Sequence, residues 1–234
     1  MRPTASSRSG CAKVRILARS AWLRSIQLRI VQLWDRLRLA RLRALHPGLV
    51  FERGASTNLA AARYVLEPGA RVVFGAGVHA DRTPGGLVVI AGRGARIEIG
   101  AGTWLRGETE PVRIVAFADA ELRLGPDSFL NGCHLSAKRS VVLGRRAWVG
   151  LGSRVFDSDQ HDHDALRPEV IAPVEIGDYT WVAADVTVLK GVRIGSHCIV
   201  GTRSLVTRDV PDHSLAFGTP ATVRGKVGDR SNTR

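Results

Sequence analysis

Aliphatic residues recur every six positions along the last third of the chain. One series follows this step without interruption through Ile176, Val182, Val188, Ile194, Val200 and Val206. A second series, two residues earlier, runs through Val174, Thr180, Val186, Val192, Cys198, Ser204 and Val210. Because a strand alternates between inward and outward positions, two inward positions per six residues describe one short strand and one turn. The pattern predicts a coil of parallel strands built from six-residue repeats.

The register extends upstream and is marked by small residues. Leu124, Leu130, Leu143, Val149 and Val155 continue it. The small residues that follow the first series, where we expect the backbone to turn, are Gly177, Ala183, Gly195 and Gly201. An antiparallel sandwich does not hold such a register, and a helical solenoid needs longer units with a 3.6-residue period. We therefore expect an all-β left-handed parallel β-helix over residues 48–226 and a C-terminal tail over 227–234.

The N-terminal part has a helical period instead. Its apolar stripe consists of Leu23, Ile26, Ile30, Leu33, Leu37, Ala40 and Ala44, and it ends before Pro47 and Gly48. Trp22 and Trp34 widen the stripe, and arginines occupy much of the opposite face. We predict a basic amphipathic helical segment over 14–47, as one helix or two, after a disordered tail over 1–13.

The positive charge is concentrated in that segment. The whole chain carries +13, and residues 1–46 hold eleven Lys or Arg against one acid, Asp35. An apolar stripe with tryptophans fits an anionic membrane surface better than a nucleic acid, although packing against the rest of the protein is the alternative. The segment lacks both a compact secretory signal and an apolar run long enough to span a bilayer. We expect a cytoplasmic protein, with peripheral attachment to the inner face of the membrane as a hypothesis and no nucleic-acid partner.

A polar loop over residues 156–173 interrupts the register. It contains His161 and His163 together with Asp157, Asp159, Asp162 and Asp164. Ligands that follow one another on a single loop seldom enclose a metal ion, and three cysteines at unrelated spacings indicate neither zinc nor a disulfide framework, so no bound metal is expected. A neutral imidazole near pH 7 can take a proton from a hydroxyl, with Asp157, Asp159 or a backbone carbonyl orienting the ring. The alternative is that both histidines are solvated loop residues.

Several motifs resemble those of hexapeptide-repeat O-acetyltransferases, in particular the maltose and galactoside enzymes and those of capsule and exopolysaccharide synthesis. The motifs are the repeat itself, Asp157-Ser158-Asp159-Gln160-His161, the segment 176–182 and Gly218-Thr219-Pro220-Ala221. The resemblance covers about residues 120–226, is weaker over 48–119 and is absent from the helical segment. It implies a homotrimer that transfers an acetyl group from acetyl-CoA to a hydroxyl of a sugar or polysaccharide precursor. A non-catalytic β-helical scaffold is the competing interpretation.

The resemblance also implies site residues. It makes His161 the general base, with His163 as its competitor. Acceptor binding falls on Asn131, Asp159 and His163, although Asn131 also suits a turn before Gly132 and the nearby acid of the family is missing. The residues that the resemblance implies for binding the coenzyme A thioester are Trp181, Ala183, Ala184, Thr202, Thr207, Pro220, Arg224 and Lys226. For Trp181, packing on the exterior is an equal alternative.

Overall fold

The chain folds as a left-handed parallel β-helix with one α-helix at its N-terminal end. The computed structural model describes the backbone of residues 9–233 and the side chains of residues 27–233. The helix α1 spans Ser9–Leu45, and a short 3-10 helix spans Thr57–Ala61. The expected all-β fold class is confirmed, and it follows from the six-residue register.

Short strands make up the β-helix. In chain order they are β1 (Leu49–Phe51), β2 (Arg63–Leu66), β3 (Arg71–Phe74), β4 (His79–Ala80), β5 (Leu87–Ala91), β6 (Arg96–Ile99), β7 (Trp104–Arg106), β8 (Val112–Ala116), β9 (Glu121–Leu124), β10 (Phe129–Asn131), β11 (His134–Ala137), β12 (Ser140–Leu143), β13 (Trp148–Val149), β14 (Arg154–Phe156), β15 (Val174–Ile176), β16 (Trp181–Val182), β17 (Thr187–Val188), β18 (Arg193–Ile194), β19 (Ile199–Val200), β20 (Leu205–Val206), β21 (Ser214–Gly218) and β22 (Ala221–Lys226).

These strands form three sheets, which are the walls of a triangular prism. Sheet A has the order β1-β3-β6-β9-β12-β15-β18, and sheet B the order β2-β5-β8-β11-β14-β17-β20. Sheet C has the order β4-β7-β10-β13-β16-β19-β21-β22, and its last pair is antiparallel. The chain passes from sheet A to C, then to B, then back to A. We call the three edges corner AC (for example 177–180), corner CB (150–153) and corner BA (189–191).

Both sequence series form the interior. All residues of the first series are at most 2% exposed, and those of the second are at most 5% exposed. Thr180 and Ser204 donate to the carbonyl oxygens of Gly195 and Gly201, so these polar members are satisfied inside the corners. The inward face is therefore apolar along the strands and hydrogen-bonded at the turns.

The small residues after the first series have a different role from the one expected. The left-handed backbone conformation lies two residues later, at Tyr179 (φ 58°) and His197 (φ 56°). A Cβ atom on Gly177 would come within 2.6 Å of the carbonyl carbon of Gly195 in the next coil. Glycine is needed here because adjacent coils approach closely, and not because the backbone turns at it.

The helix α1 begins at Ser9, ahead of the predicted start at residue 14. Residues 1–8 of the predicted tail lie outside the described residues. Near its C-terminal end α1 packs on the first coil, where Leu39 is buried and the Asp35 carboxylate accepts two hydrogen bonds of 3.0 Å from Arg82. In the part of the chain that the structure describes, no helix is long and apolar enough to cross a membrane.

The predicted stripe of α1 is not the face that packs on the protein. Its described large members Ile30, Leu33 and Leu37 are each more than half exposed, and Trp34 is 67% exposed. The packed face contains Asp35, Leu39 and the partly buried Leu42 instead. The helix thus packs on its own chain, as the alternative held, but through a face other than the predicted stripe.

Candidate functional site

The polar loop is anchored by Asp157, which is completely buried. Its carboxylate accepts hydrogen bonds from the backbone N–H groups of Lys138 (2.8 Å), Arg139 (2.6 Å) and Ser140 (2.8 Å) in the preceding coil. The other end of the loop returns through a bond from Ala172 N to Asp157 O of 2.8 Å. Asp157 therefore holds the turn at corner BA, and its carboxylate does not orient a histidine.

A second acid of the loop binds His163. One carboxylate oxygen of Asp159 lies 3.1 Å from Nε2 of His163 and accepts a 3.2 Å bond from Val170 N. The other oxygen pairs with the ammonium of Lys190. These partners, with Lys190 first, lower the pKa of Asp159 below its ordinary value. Asp159 is thus ionised at neutral pH and pairs with His163 rather than with His161, for which it was one of three possible orienting groups.

Lysines from both neighbouring coils hold the loop. Lys138 lies in the preceding coil, donates to Gln160 O at 3.1 Å and pairs with Glu169 at 2.7 Å. Lys190 lies in the following coil and pairs with Asp159. The pairing with Lys138 lowers the pKa of Glu169. Two cations thus fix the base of a loop whose tip is open to solvent, an arrangement that suits a rigidly placed catalytic side chain.

His161 lies at that open tip. Its side chain is exposed and has no hydrogen-bond or ion-pair partner among the described residues. His163 is also open to solvent, with 51% of its side chain exposed. The loop therefore presents two imidazoles, one oriented by a carboxylate within the protomer and one free to meet another molecule.

A cavity of about 610 Å³ lies on the outer face of sheet C, beside corner CB. Its walls include Asn131, predicted to bind the acceptor, and Trp181 and Ala184, predicted to bind the donor. Trp148 and Phe129 complete an aromatic surface on the neighbouring strands. Residues assigned to the two substrates from separate motifs therefore line one cavity.

The remaining predicted donor contacts lie in two places. Thr202 is exposed on corner CB, next to the cavity, while Pro220, Arg224 and Lys226 lie on the exposed C-terminal hairpin of sheet C. Ala183 is buried at 6% exposure, so it offers mainly backbone to a ligand. Thr207 lies at corner BA, on the same edge as the His161 loop. Within one protomer, sheet B separates the cavity from that loop.

The cavity also contains a residue that sequence reasoning missed. The segment after Lys226 was expected to be a tail, but Val227 N donates to His213 O (2.8 Å) and Arg230 N donates to His197 Nδ1 (3.0 Å). Arg230 donates through Nε to Tyr179 O at 2.9 Å, and its guanidinium carbon lies 5.8 Å from the Trp181 ring centre. No repeat or motif marks Arg230 in the sequence. Partial burial lowers its pKa below the ordinary value.

The acids and histidines of the loop are the side chains of the loop that could act as metal ligands. Among the described residues, no group of three or more His, Cys, Asp or Glu side chains is placed to hold a metal ion. Asp157 is engaged with backbone N–H groups and Asp159 with Lys190, so neither carboxylate is free to bind a metal ion.

Known proteins with similar sequences include acetyltransferases. Residues 173–208 match the family described as bacterial transferase hexapeptide (six repeats). The galactoside O-acetyltransferase of Lactococcus lactis is 50% identical over 56 residues, which are 24% of this chain and 27% of that protein. A probable acetyltransferase of Mycobacterium tuberculosis is 29% identical over 157 residues, or 65% of this chain and 49% of that one. The resemblance to hexapeptide-repeat acetyltransferases is confirmed.

Solved structures with a similar fold include a galactoside acetyltransferase in complex with coenzyme A. It is 22% identical, with a TM-score of 0.49, over 57% of this chain and 66% of that one. The chain spans 27% of the length of the Lactococcus relative and about half of the Mycobacterium relative.

Proposed function

We propose that this protein is an O-acetyltransferase that moves an acetyl group from acetyl-CoA to a hydroxyl of a sugar or polysaccharide precursor. The observation that carries the proposal is the cavity on sheet C, where Asn131 lies with Trp181 and Ala184. An Asn amide can both donate to and accept from a sugar hydroxyl, and a flat indole offers an apolar surface to the pantetheine arm. The acetyltransferases found among similar sequences support the same reaction class.

His161 acts as the general base in this proposal. Its neutral imidazole accepts the proton of the acceptor hydroxyl while the hydroxyl oxygen bonds to the thioester carbonyl carbon. The carbon–sulfur bond then breaks, and the proton passes from the imidazolium to the departing thiolate. The exposed position of His161, without a partner of its own, leaves both ring nitrogens available for this transfer.

We infer that the complete site forms between copies of the chain in a homotrimer. In one protomer the cavity lies beside corner CB and the His161 loop lies at corner BA, on opposite edges of sheet B. A closed ring of three copies would place corner BA of one copy against sheet C of the next. The free ring of His161 would then face the cavity of its neighbour.

Thiol release from acetyl-CoA with a panel of sugar acceptors tests the assignment of the base. His161→Ala should lower kcat by about 100-fold or more, because general base catalysis contributes on that order. His163→Ala, the matched control on the same loop, should keep most of the activity. The reverse result would move the base to His163, and a wild-type protein inert toward every acceptor would favour a non-catalytic scaffold.

We also propose that α1 holds the protein at the inner, cytoplasmic face of an anionic membrane. The exposed stripe of Leu33, Trp34 and Leu37 lies on a helix rich in arginine, and no part of the described chain covers it. Apolar burial and attraction to anionic lipids act together in such helices.

Vesicle co-sedimentation checks the role of this stripe. The triple change Leu33→Ser, Trp34→Ser and Leu37→Ser should abolish binding to vesicles that contain phosphatidylserine. Leu166→Ser is the matched control, since Leu166 is 91% exposed on the polar loop and should not contribute. If the wild type, the triple variant and Leu166→Ser sediment equally, the membrane proposal is wrong and the enzymatic proposal is unaffected.

A further inference from the structure

Three basic side chains stand side by side on the outer face of sheet B. His134 on β11 is in register with Arg113 on β8 and with Arg154 on β14. Adjacent strands are about 4.8 Å apart, so the two guanidinium groups can reach the same ligand over His134. We call these three residues the basic row.

Neither arginine of the basic row is neutralised by the protein. Among the described residues, no carboxylate oxygen lies within 4.0 Å of the Arg113 or Arg154 guanidinium. Sheet A contrasts with this: Arg123 lies 3.7 Å from Glu121 and 3.9 Å from Glu98, and Arg193 lies 3.9 Å from Glu175. Arg113 and Arg154 lie two strands apart, on either side of His134, so both guanidinium groups remain available to an anionic ligand.

The row lines a cleft of about 340 Å³. Gly132 and Gly152 form its side at corner CB, and the exposed Glu110 lies at its rim as the single acid of the lining. Burial, and then the charges of Arg113 and Arg154, lower the pKa of His134, so its imidazole is neutral at pH 7 and offers a hydrogen bond. The edge of Phe156 packs against His134 with ring centres 5.2 Å apart, which fixes the imidazole.

The cleft lies next to the proposed acceptor cavity, around corner CB. Asn131 and Leu151 line the cavity on the sheet C side, and the next residues along the chain, Gly132 and Gly152, line the cleft on the sheet B side. The two spaces thus lie on either side of the same turns at corner CB. A molecule larger than one sugar, bound in the cavity, would reach the basic row.

We propose that the basic row binds a carboxylate or phosphate group of an anionic sugar acceptor lying across corner CB. This inference rests on the proposed acetyltransferase function, which identifies the occupant of the cavity as a saccharide. Guanidinium forks match the geometry of carboxylate and phosphate oxygens, and such charge-assisted bonds are the stronger ones. The row selects acceptors by charge and takes no part in the transfer itself.

Binding measured without acetyl-CoA tests the basic row separately from catalysis. The probes are trigalacturonic acid and the uncharged maltotriose, titrated into the full-length protein while the His134 ring resonances are followed by NMR. Arg113→Ala/Arg154→Ala should weaken binding of the acidic probe by about tenfold or more. Arg123→Ala/Arg193→Ala is the matched control on sheet A and should bind as the wild type does. Added salt should weaken binding of the acidic probe alone.

The outcomes separate the two proposals. Binding of trigalacturonic acid to the wild-type protein requires no acetyl transfer, so a protein that is inert in the transfer assay leaves this test valid. Equal wild-type affinity for both probes, or equal losses in the two double variants, would overturn the basic row as an acceptor site. If the Arg113/Arg154 variant instead loses affinity for coenzyme A but not for dephospho-coenzyme A, the row binds the donor phosphate and the acceptor assignment is wrong. Thermal unfolding of each variant checks that the fold is intact.

Discussion

At the scale of single residues, the close stacking of adjacent coils depends on which backbone positions have room for a Cβ atom. The corner residues Tyr179, His197 and His213 take a left-handed conformation, and their rings stack in a column with centres 5.0 and 4.7 Å apart. Gly177 and Gly195 precede such corners, where coils meet backbone to backbone. Left-handed backbone costs energy for ordinary residues, and stacking of the rings offsets part of it.

Gly177→Ala should lower the free energy of unfolding by about 1–3 kcal/mol, the range for forcing extra atoms into a packed site. The new Cβ atom would lie 2.6 Å from backbone atoms of Gly195 and Ser196, which cannot move without displacing the next coil. Gly228→Ala serves as the control because a Cβ atom at Gly228 would have no neighbouring atom within 4 Å. Urea unfolding of both variants measures the difference, and equal stability would contradict the close-approach explanation.

At the scale of elements, a buried carboxylate joins the polar loop to the body of the β-helix. Asp157 satisfies three consecutive backbone N–H groups at the turn between β11 and β12. Lys138 and Lys190 then clamp the loop from the coils on either side. The loop is therefore an ordered element with a fixed base, although its composition resembles that of a disordered segment.

Asp157→Asn should destabilise this junction by about 2 kcal/mol, since an amide N–H₂ would face backbone donors that now bind a charged acceptor. Hydrogen exchange should accelerate at the amides of Lys138, Arg139 and Ser140. Asp164→Asn is the control, because Asp164 binds only within the exposed loop. Unchanged exchange at these three amides would show that Asp157 does not hold the turn.

At the scale of the whole molecule, the proposed homotrimer with a site divided between two edges of sheet B predicts complementation between subunits. His161 and Asn131 lie near different corners of one protomer. If each site takes His161 from one copy and Asn131 from the next, two inactive variants can together build an intact site. If one copy supplied both residues of a site, mixing the two variants could not restore an intact site.

Mixed trimers of His161→Ala and Asn131→Ala chains should therefore recover activity that neither variant has alone. Random mixing would leave about a quarter of the sites with both residues intact. Thiol release after co-expression and purification measures the recovery. Mixing that yields no more activity than the separate variants would place both residues in the same protomer.

Much of the fold could be predicted because its repeat is local. Each six-residue unit contains its own strand and turn, so Ile176 and Val182 indicate the interior without knowledge of any distant contact. Much of the candidate site could not be predicted, because the residues that contact each other there come from different coils. The pairing of Asp159 with Lys190, and the return of Arg230 to Trp181, join residues that no periodicity relates.

The sequence by itself thus determined the β-helix, the position of the polar loop and the basic N-terminal helix, because the spacing of apolar residues along the chain indicates which positions are buried. Tertiary structure alone decided which acid binds which histidine, which face of α1 is exposed and which basic side chains remain unpaired. Side chains such as Arg113, His134 and Arg154 are far apart in the chain and become neighbours only when coils stack. They line one cleft only because of that stacking, which no single repeat contains.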